Sequence, residues 1–263
     1  MKVCLPDKFD VVYPKKNKAY YAKVNSKVLR KILSLASDSY CMYCGTSLKI
    51  DGKESFHLEH SVDKEGNYNQ PEKNTMLRNC KFNFAAACAK CNLVYKKRIE
   101  KIDFSKYMCA DKCPKECNEI CDTYQEMRED YCKFNSIILQ PIGYKKDNIQ
   151  YKIRYNLLRH VYEADLDDMN SEAMFFIEHH ILRFHLNGEN FSNSIINICV
   201  EINDLFEKGM TDIRNLLEYE AQKRHENVIG KGFVRFLESR FMEKKAEELI
   251  EFCELLVVLG AVV

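Results

Sequence analysis

Little in this chain favours disorder or a membrane. Five Pro and nine Gly in 263 residues leave little room for long disordered tails, and 46% apolar with 30% charged residues is ordinary for a folded globular protein. No charge of one sign dominates either. Forty Lys and Arg face 39 Asp and Glu, so overall charge points to neither a nucleic acid nor a membrane surface, and any basic surface must be local. The start of the chain, MKVCLPDKFDVVYPKK, lacks an apolar stretch of signal-peptide length. No segment reaches the roughly 18 apolar residues that would span a bilayer. The expectation is a cytoplasmic protein without a membrane partner, large enough to bury a core as one domain or two small ones.

What the chain does have is cysteine, thirteen in all. An odd number of thiols in a reducing compartment argues against a disulfide framework, and clustered ones usually hold metal. Cys4, Cys80, Cys132, Cys199 and Cys253 are scattered and read as small buried apolar residues. Cys41-Met42-Tyr43-Cys44 and Cys88-Ala89-Lys90-Cys91 are two CxxC knuckles, each able to present two sulfurs to one zinc ion. The intervening sequence is loop-rich and glycine-punctuated (GTSLKIDGK, DKEGNYNQPEKN), too poor in core residues to fold without such a staple. Cys109, Cys113, Cys117 and Cys121 recur every four residues. With Pro114 in the first turn of a helix, Cys117 and Cys121 would share a face, giving either a second zinc site or a stripe of small apolar residues.

Between the knuckles stands His57-Leu58-Glu59-His60, with Asn83 five residues before Cys88, Asn92 directly after Cys91, and Lys96-Lys97 beyond. This order resembles the HNH endonuclease family, in which an acidic residue and a histidine are adjacent, an asparagine precedes the second CxxC, and a histidine or asparagine follows it. The resemblance implies a zinc-braced ββα-metal module that hydrolyses phosphodiesters, DNA being favoured over RNA. It implies His60 as general base, with an imidazole suited to taking a proton from water near neutral pH. Glu59, Asn83 and Asn92 would hold a catalytic magnesium or manganese ion, and Lys96 and Lys97 would meet phosphate oxygens. Glutamate replaces the commoner aspartate, and Asp63 stands where many Glu-His members have proline. His57 reads as a packing or orienting histidine. A zinc-ribbon adaptor that binds nucleic acid without cutting is the competing reading.

The fold class expected is α+β and mostly helical. Its parts are an N-terminal segment with a helix (1–40), the HNH module (41–108), a Cys-rich connector with a helix and a short β-hairpin (109–170), and a helical region (171–263). Helical spacing marks Lys27–Ala36, broken by Ser37-Asp38-Ser39, and four segments after Ser171, with Gly188, Gly209 and the Gly230/Gly232 pair as breaks. NIQYKIRY, residues 148–155, alternates as a strand and could pair with LLRHVYEADL. In order and spacing, SIILQPIGY and the helix ending at Leu186-Asn187 resemble the HNH effector subunits of Septu-type and retron-associated antiphage systems. That resemblance implies an ATPase partner subunit; self-association is left open. The apolar C-terminus, Phe252–Val263, is core or interface. His179, His180 and His185 read as ordinary, partly buried histidines.

Overall fold

The structure is a computed structural model that describes all residues except 17, 21, 64–76, 97–106, 108–117, 167–169 and 263. Helix α1 (Lys23–Ala36) starts four residues before the apolar spacing predicts. It buries Leu29 and Leu33 completely while Val24, Val28 and Leu35 stay exposed, the one-sided burial expected of i, i+4 spacing. It ends where the polar triplet predicts, with Asp38 and Ser39 at φ 50° and 55°. The next strands are short: β2 (Lys49–Ile50) with β3 (Lys53–Glu54), and β4 (His57–His60) with β5 (Phe84–Ala87), each pair antiparallel.

Helix α2 (Asp122–Asn135) begins after Cys121. Residues 118–121 are not helical, so Cys121 does not lie on a helix face, contrary to the sequence expectation. Cys121 is exposed, while Cys109, Cys113 and Cys117 lie outside the described residues. The strand expected over 148–155 is split at Tyr151–Lys152: β7 (Ile149–Gln150) pairs with β6 (Lys145–Lys146), and β8 (Ile153–Asn156) forms the expected hairpin with β9 (Val161–Ala164). Sequence reasoning missed its third strand. β1 (Lys2–Cys4) pairs antiparallel with β8, giving the order β1-β8-β9. Cys4 is consequently exposed rather than buried, and its thiol donates to Asp165 at 3.3 Å.

Five helices follow: α3 (Ser171–Arg183), α4 (Glu189–Glu207), α5 (Ile213–Gln222), α6 (Val228–Phe241) and α7 (Ala246–Val262). Gly230 and Gly232 lie inside α6 instead of breaking the chain. A Cβ on Gly232 would sit 2.5 Å from Val3 Cγ1, so that glycine lets the helix press against β1. Helix α7 buries Leu249, Cys253 and Leu256 but exposes Leu255 and Val258; its apolar sequence is core on one face only. Among the described residues no helix is long and apolar enough to cross a membrane. Among the described residues a connected core runs from Leu29 and Phe84 to Phe233 and Leu256.

His180 on α3 belongs to that core, accepting a 3.0 Å bond from the Ile138 backbone N–H at Nδ1. Burial, with Arg183 adding to it, lowers its pKa to about 3, whereas an unfolded imidazole titrates near ~6.5. Neutral His180 therefore contributes stability that is fully present above about pH 6.5 and is lost as pH falls toward 3, by up to about 1.4 kcal/mol per unit. His160 and His225, also lowered by burial, act in the same direction. Urea midpoints should fall steadily between about pH 6.5 and 4.5, less steeply for His180→Gln than for the wild type. Equal slopes would refute the assignment.

Candidate metal centre and its hairpin

The first knuckle is a tight turn just after α1, closed by Gly45 N–H on Cys41 O at 2.9 Å. It docks on β5 through Met42 N–H to Ala86 O at 2.9 Å. From the second knuckle, the Cys88 N–H reaches Cys41 Sγ at 3.3 Å and the Cys91 N–H reaches Cys88 Sγ at 3.4 Å. The four sulfurs of Cys41, Cys44, Cys88 and Cys91 lie within 4.8 Å of one another, and Cys44 and Cys88 are 3.8 Å apart. A tetrahedron with Zn–S bonds of about 2.3 Å has edges of about 3.8 Å. The donor set fits zinc in both softness and size. With thiols alone, S–H donors from the other three pull Cys88 far below its ordinary range, while contacts with Cys41 and Cys88 push Cys44 up and contacts with the other three push Cys91 up. A bound dication would favour the thiolate at all four.

The helical region grips this knuckle. Asn227, the N-cap of α6, accepts from the Ile229 N–H at 2.9 Å and donates to Cys44 O at 3.0 Å. The Val228 N–H bonds Gly45 O at 2.8 Å, and the Ser47 N–H bonds Glu226 O at 2.7 Å. Gly45 has φ +73°, and a Cβ there would meet Val228 Cγ1 at 2.6 Å, so only glycine suits both the turn and the approach. Asn227→Ala removes a cap and leaves a buried carbonyl unpaired, a loss of about 2–4 kcal/mol. Zinc should also leave Asn227→Ala faster in a chelator-release assay. Asp212→Ala, removing the exposed cap of α5, should cost about 1 kcal/mol and leave zinc release unchanged.

β4 and β5 carry the HNH-like residues away from the cysteines, with register His57↔Ala87 beside the knuckle and His60↔Phe84 at the far end. His60 packs on the Phe84 ring at 4.5 Å between centroids. Glu59, adjacent and facing the other way, is 2% exposed. Its Oε2 accepts the Tyr43 hydroxyl at 2.8 Å and its Oε1 forms an ion pair with Lys96. Burial first, then the Glu59 charge, push the Tyr43 hydroxyl far above its usual range, so it stays a donor. The Lys96 ammonium also reaches the carbonyls of His60 and Ser61 at 2.6 and 2.8 Å. Lys96 ends a five-residue π-helical turn, Cys91–Tyr95, a form that concentrates at functional sites.

The expected ion ligands are engaged separately. Asn83 is fully buried; its Oδ1 accepts from the Val62 N–H at 2.7 Å and Tyr124 Oη at 2.9 Å. Its Nδ2 donates to Val62 O at 3.0 Å and Leu77 O at 2.9 Å. Every donor and acceptor of that amide is spent, so Asn83 clamps the loop after β4 and has nothing left for an ion. Asn92 Nδ2 lies 3.0 Å from His57 Nδ1, which makes His57 a partner of the residue after the second knuckle. Lys96 meets a carboxylate and Lys97 lies outside the described residues.

Sequence reasoning missed Tyr43 and Tyr124. Tyr43 is an unremarked middle residue of a CxxC, and no spacing rule says that it reaches Glu59. Phe184, at the end of α3, stacks on Tyr43 at 5.0 Å, and Asn187 bonds both backbone groups of Tyr162 at 2.6 and 3.1 Å. Phe184 therefore buttresses the first knuckle, while the Leu186-Asn187 stretch after the helix holds β9. In comparisons with known proteins, the chain matches no protein-family model, no curated protein and no solved structure.

Proposed function

We propose that the chain is a metal-dependent HNH-type endonuclease that hydrolyses phosphodiester bonds, with DNA the favoured substrate. The observation that carries this is the hairpin itself: a four-cysteine cluster anchors it, Glu59 and His60 are adjacent on one strand, and Asn83 fixes the loop behind them. A phosphodiesterase must activate water, neutralise charge growing on the phosphorane, and hold both in line. His60 takes the proton from the attacking water. A magnesium or manganese ion, held by Glu59, supplies the charge neutralisation when bound. Asn83 positions by holding the Val62 backbone, and Asn92 by orienting His57. In this reading the antiphage role and the ATPase partner subunit rest on the resemblance of the segments around Pro141 and Asn187.

The test is incubation of zinc-loaded protein with supercoiled plasmid, linear duplex and single-stranded RNA, in magnesium, manganese or EDTA. Nicking that needs a divalent ion and ceases in EDTA is expected. Binding without cutting in every condition would favour the adaptor, the second reading, which has one structural observation behind it: the Glu59 carboxylate is already engaged by Lys96.

A further inference from the structure

We infer that Lys96 is the resident counter-ion of the cation seat at Glu59, and that a divalent ion must displace its ammonium to bind there. The inference rests on the nuclease reading for the purpose of the ion, but its geometry stands alone. The Lys96 Nζ has three oxygen acceptors from one strand and the residue after it: the Glu59 carboxylate, His60 O at 2.6 Å and Ser61 O at 2.8 Å. Three acceptors satisfy the three N–H groups of an ammonium. They are also one carboxylate and two carbonyls, the hard oxygen set that suits magnesium, manganese or calcium. The Tyr43 ring lies 5.7 Å from the same nitrogen, and its hydroxyl holds the other carboxylate oxygen. The lysine and glutamate side chains are 7% and 2% exposed, so water does not compete for the seat.

Two cations cannot share those oxygens. A dication attracts the carboxylate about twice as strongly as an ammonium at the same distance, but must shed water to enter, and binding is further weakened by the work of ejecting Lys96. A displaced lysine would be a few ångströms from the seat, where a phosphate oxygen gives it a new anionic partner. Ion and phosphate should therefore enter together, each making the other's binding easier. The same lysine would neutralise the carboxylate in the resting protein and the phosphate in the engaged one. This also accounts for a lysine at the position read from sequence as a phosphate ligand pointing its ammonium at a carboxylate.

The experiment is manganese binding to zinc-loaded protein, followed by electron paramagnetic resonance and by thermal shift, without any cleavage readout. Lys96→Met keeps an unbranched apolar side chain of similar length and removes the charge; it should bind manganese about tenfold or more tightly than the wild type and be selectively stabilised by it. Glu59→Gln combined with Lys96→Met should lose that gain. A short non-cleavable phosphorothioate oligonucleotide should tighten manganese binding to the wild type more than to Lys96→Met. Equal manganese affinity in wild type and Lys96→Met overturns the inference. So does failure of both Lys96→Met and Lys96→Gln to fold even with manganese present, because Lys96 would then be only a structural partner of Glu59. If the affinities differ as expected while the wild type cuts nothing, the counter-ion role stands and the nuclease reading falls.

Discussion

Replacing His60 by alanine is expected to lower phosphodiester cleavage by about 10²–10⁴-fold, the usual contribution of a positioned general base. Zinc content and the melting transition should be close to those of the wild type. The structure makes this separation possible. His60 is at the end of β4 farthest from the knuckles, opposite Phe84, and its ring packs on Phe84 at 4.5 Å. Its loss removes the ring contact with Phe84, worth about 0.5–1.5 kcal/mol, at the end of the strand away from the knuckles. His60→Asn, nearer in volume, should be as inactive as His60→Ala while recovering part of that stability. A variant that cuts like the wild type would remove His60 from the chemistry. One that loses zinc along with activity would show that the imidazole supports the fold instead.

Parts of this molecule are legible in its sequence because a short-range rule carries them. Two CxxC pairs need only local spacing, and their sulfurs converge within 4.8 Å. The alternation around residues 148–155 and the helical spacing after Ser171 report which face meets the core, and β8, β9, α3, α4, α5 and α7 follow, whereas α6 falls where a glycine break is expected. What escaped depends on distant chain. β1 becomes a strand because β8 offers an open edge, which nothing near Lys2 encodes. Gly230 and Gly232 look like breaks, yet one is needed where α6 meets Val3; tertiary contact overrides the helix cost of glycine, about 1 kcal/mol. The roles within the site were hardest to read. Residue type suggests that Asn83 and Glu59 hold an ion, but only the fold reveals that Tyr124, Val62 and Leu77 use up one and that Lys96 and Tyr43 hold the other. The same contacts bear on how the chain may be dissected. Removing residues 171–263 would strip Asn227 and Val228 from the first knuckle and Phe184 from Tyr43, so loss of activity in that truncation would report damage to the site before it reported loss of a partner.

Removal of one knuckle thiolate should have the largest effect on the fold. Structural zinc contributes about 10–16 kcal/mol to small domains at neutral pH, while the net stability of a folded chain is about 5–15 kcal/mol. The elements that the cluster joins are weak: four-residue strands β4 and β5, and a knuckle turn held by a few backbone bonds. Cys88→Ser is the most disruptive choice, since Cys88 meets Cys44 at 3.8 Å and receives the Cys91 N–H. Its melting temperature should fall by more than about 10 °C, since about 1 kcal/mol shifts a chain of this size by 2–4 °C. The loss should spread to α6, whose first turn is bonded to Cys44 and Gly45. Cys4→Ser, at an exposed thiol that serine can replace as a donor to Asp165, should stay within about 0.5 kcal/mol of the wild type. Metal analysis completes the test: Cys88→Ser should hold one zinc fewer per chain, and Cys113→Ser should do the same only if the second cysteine cluster binds metal. A wild type without zinc, or a Cys88→Ser protein that melts like it, would mean that packing alone brings the four thiols together.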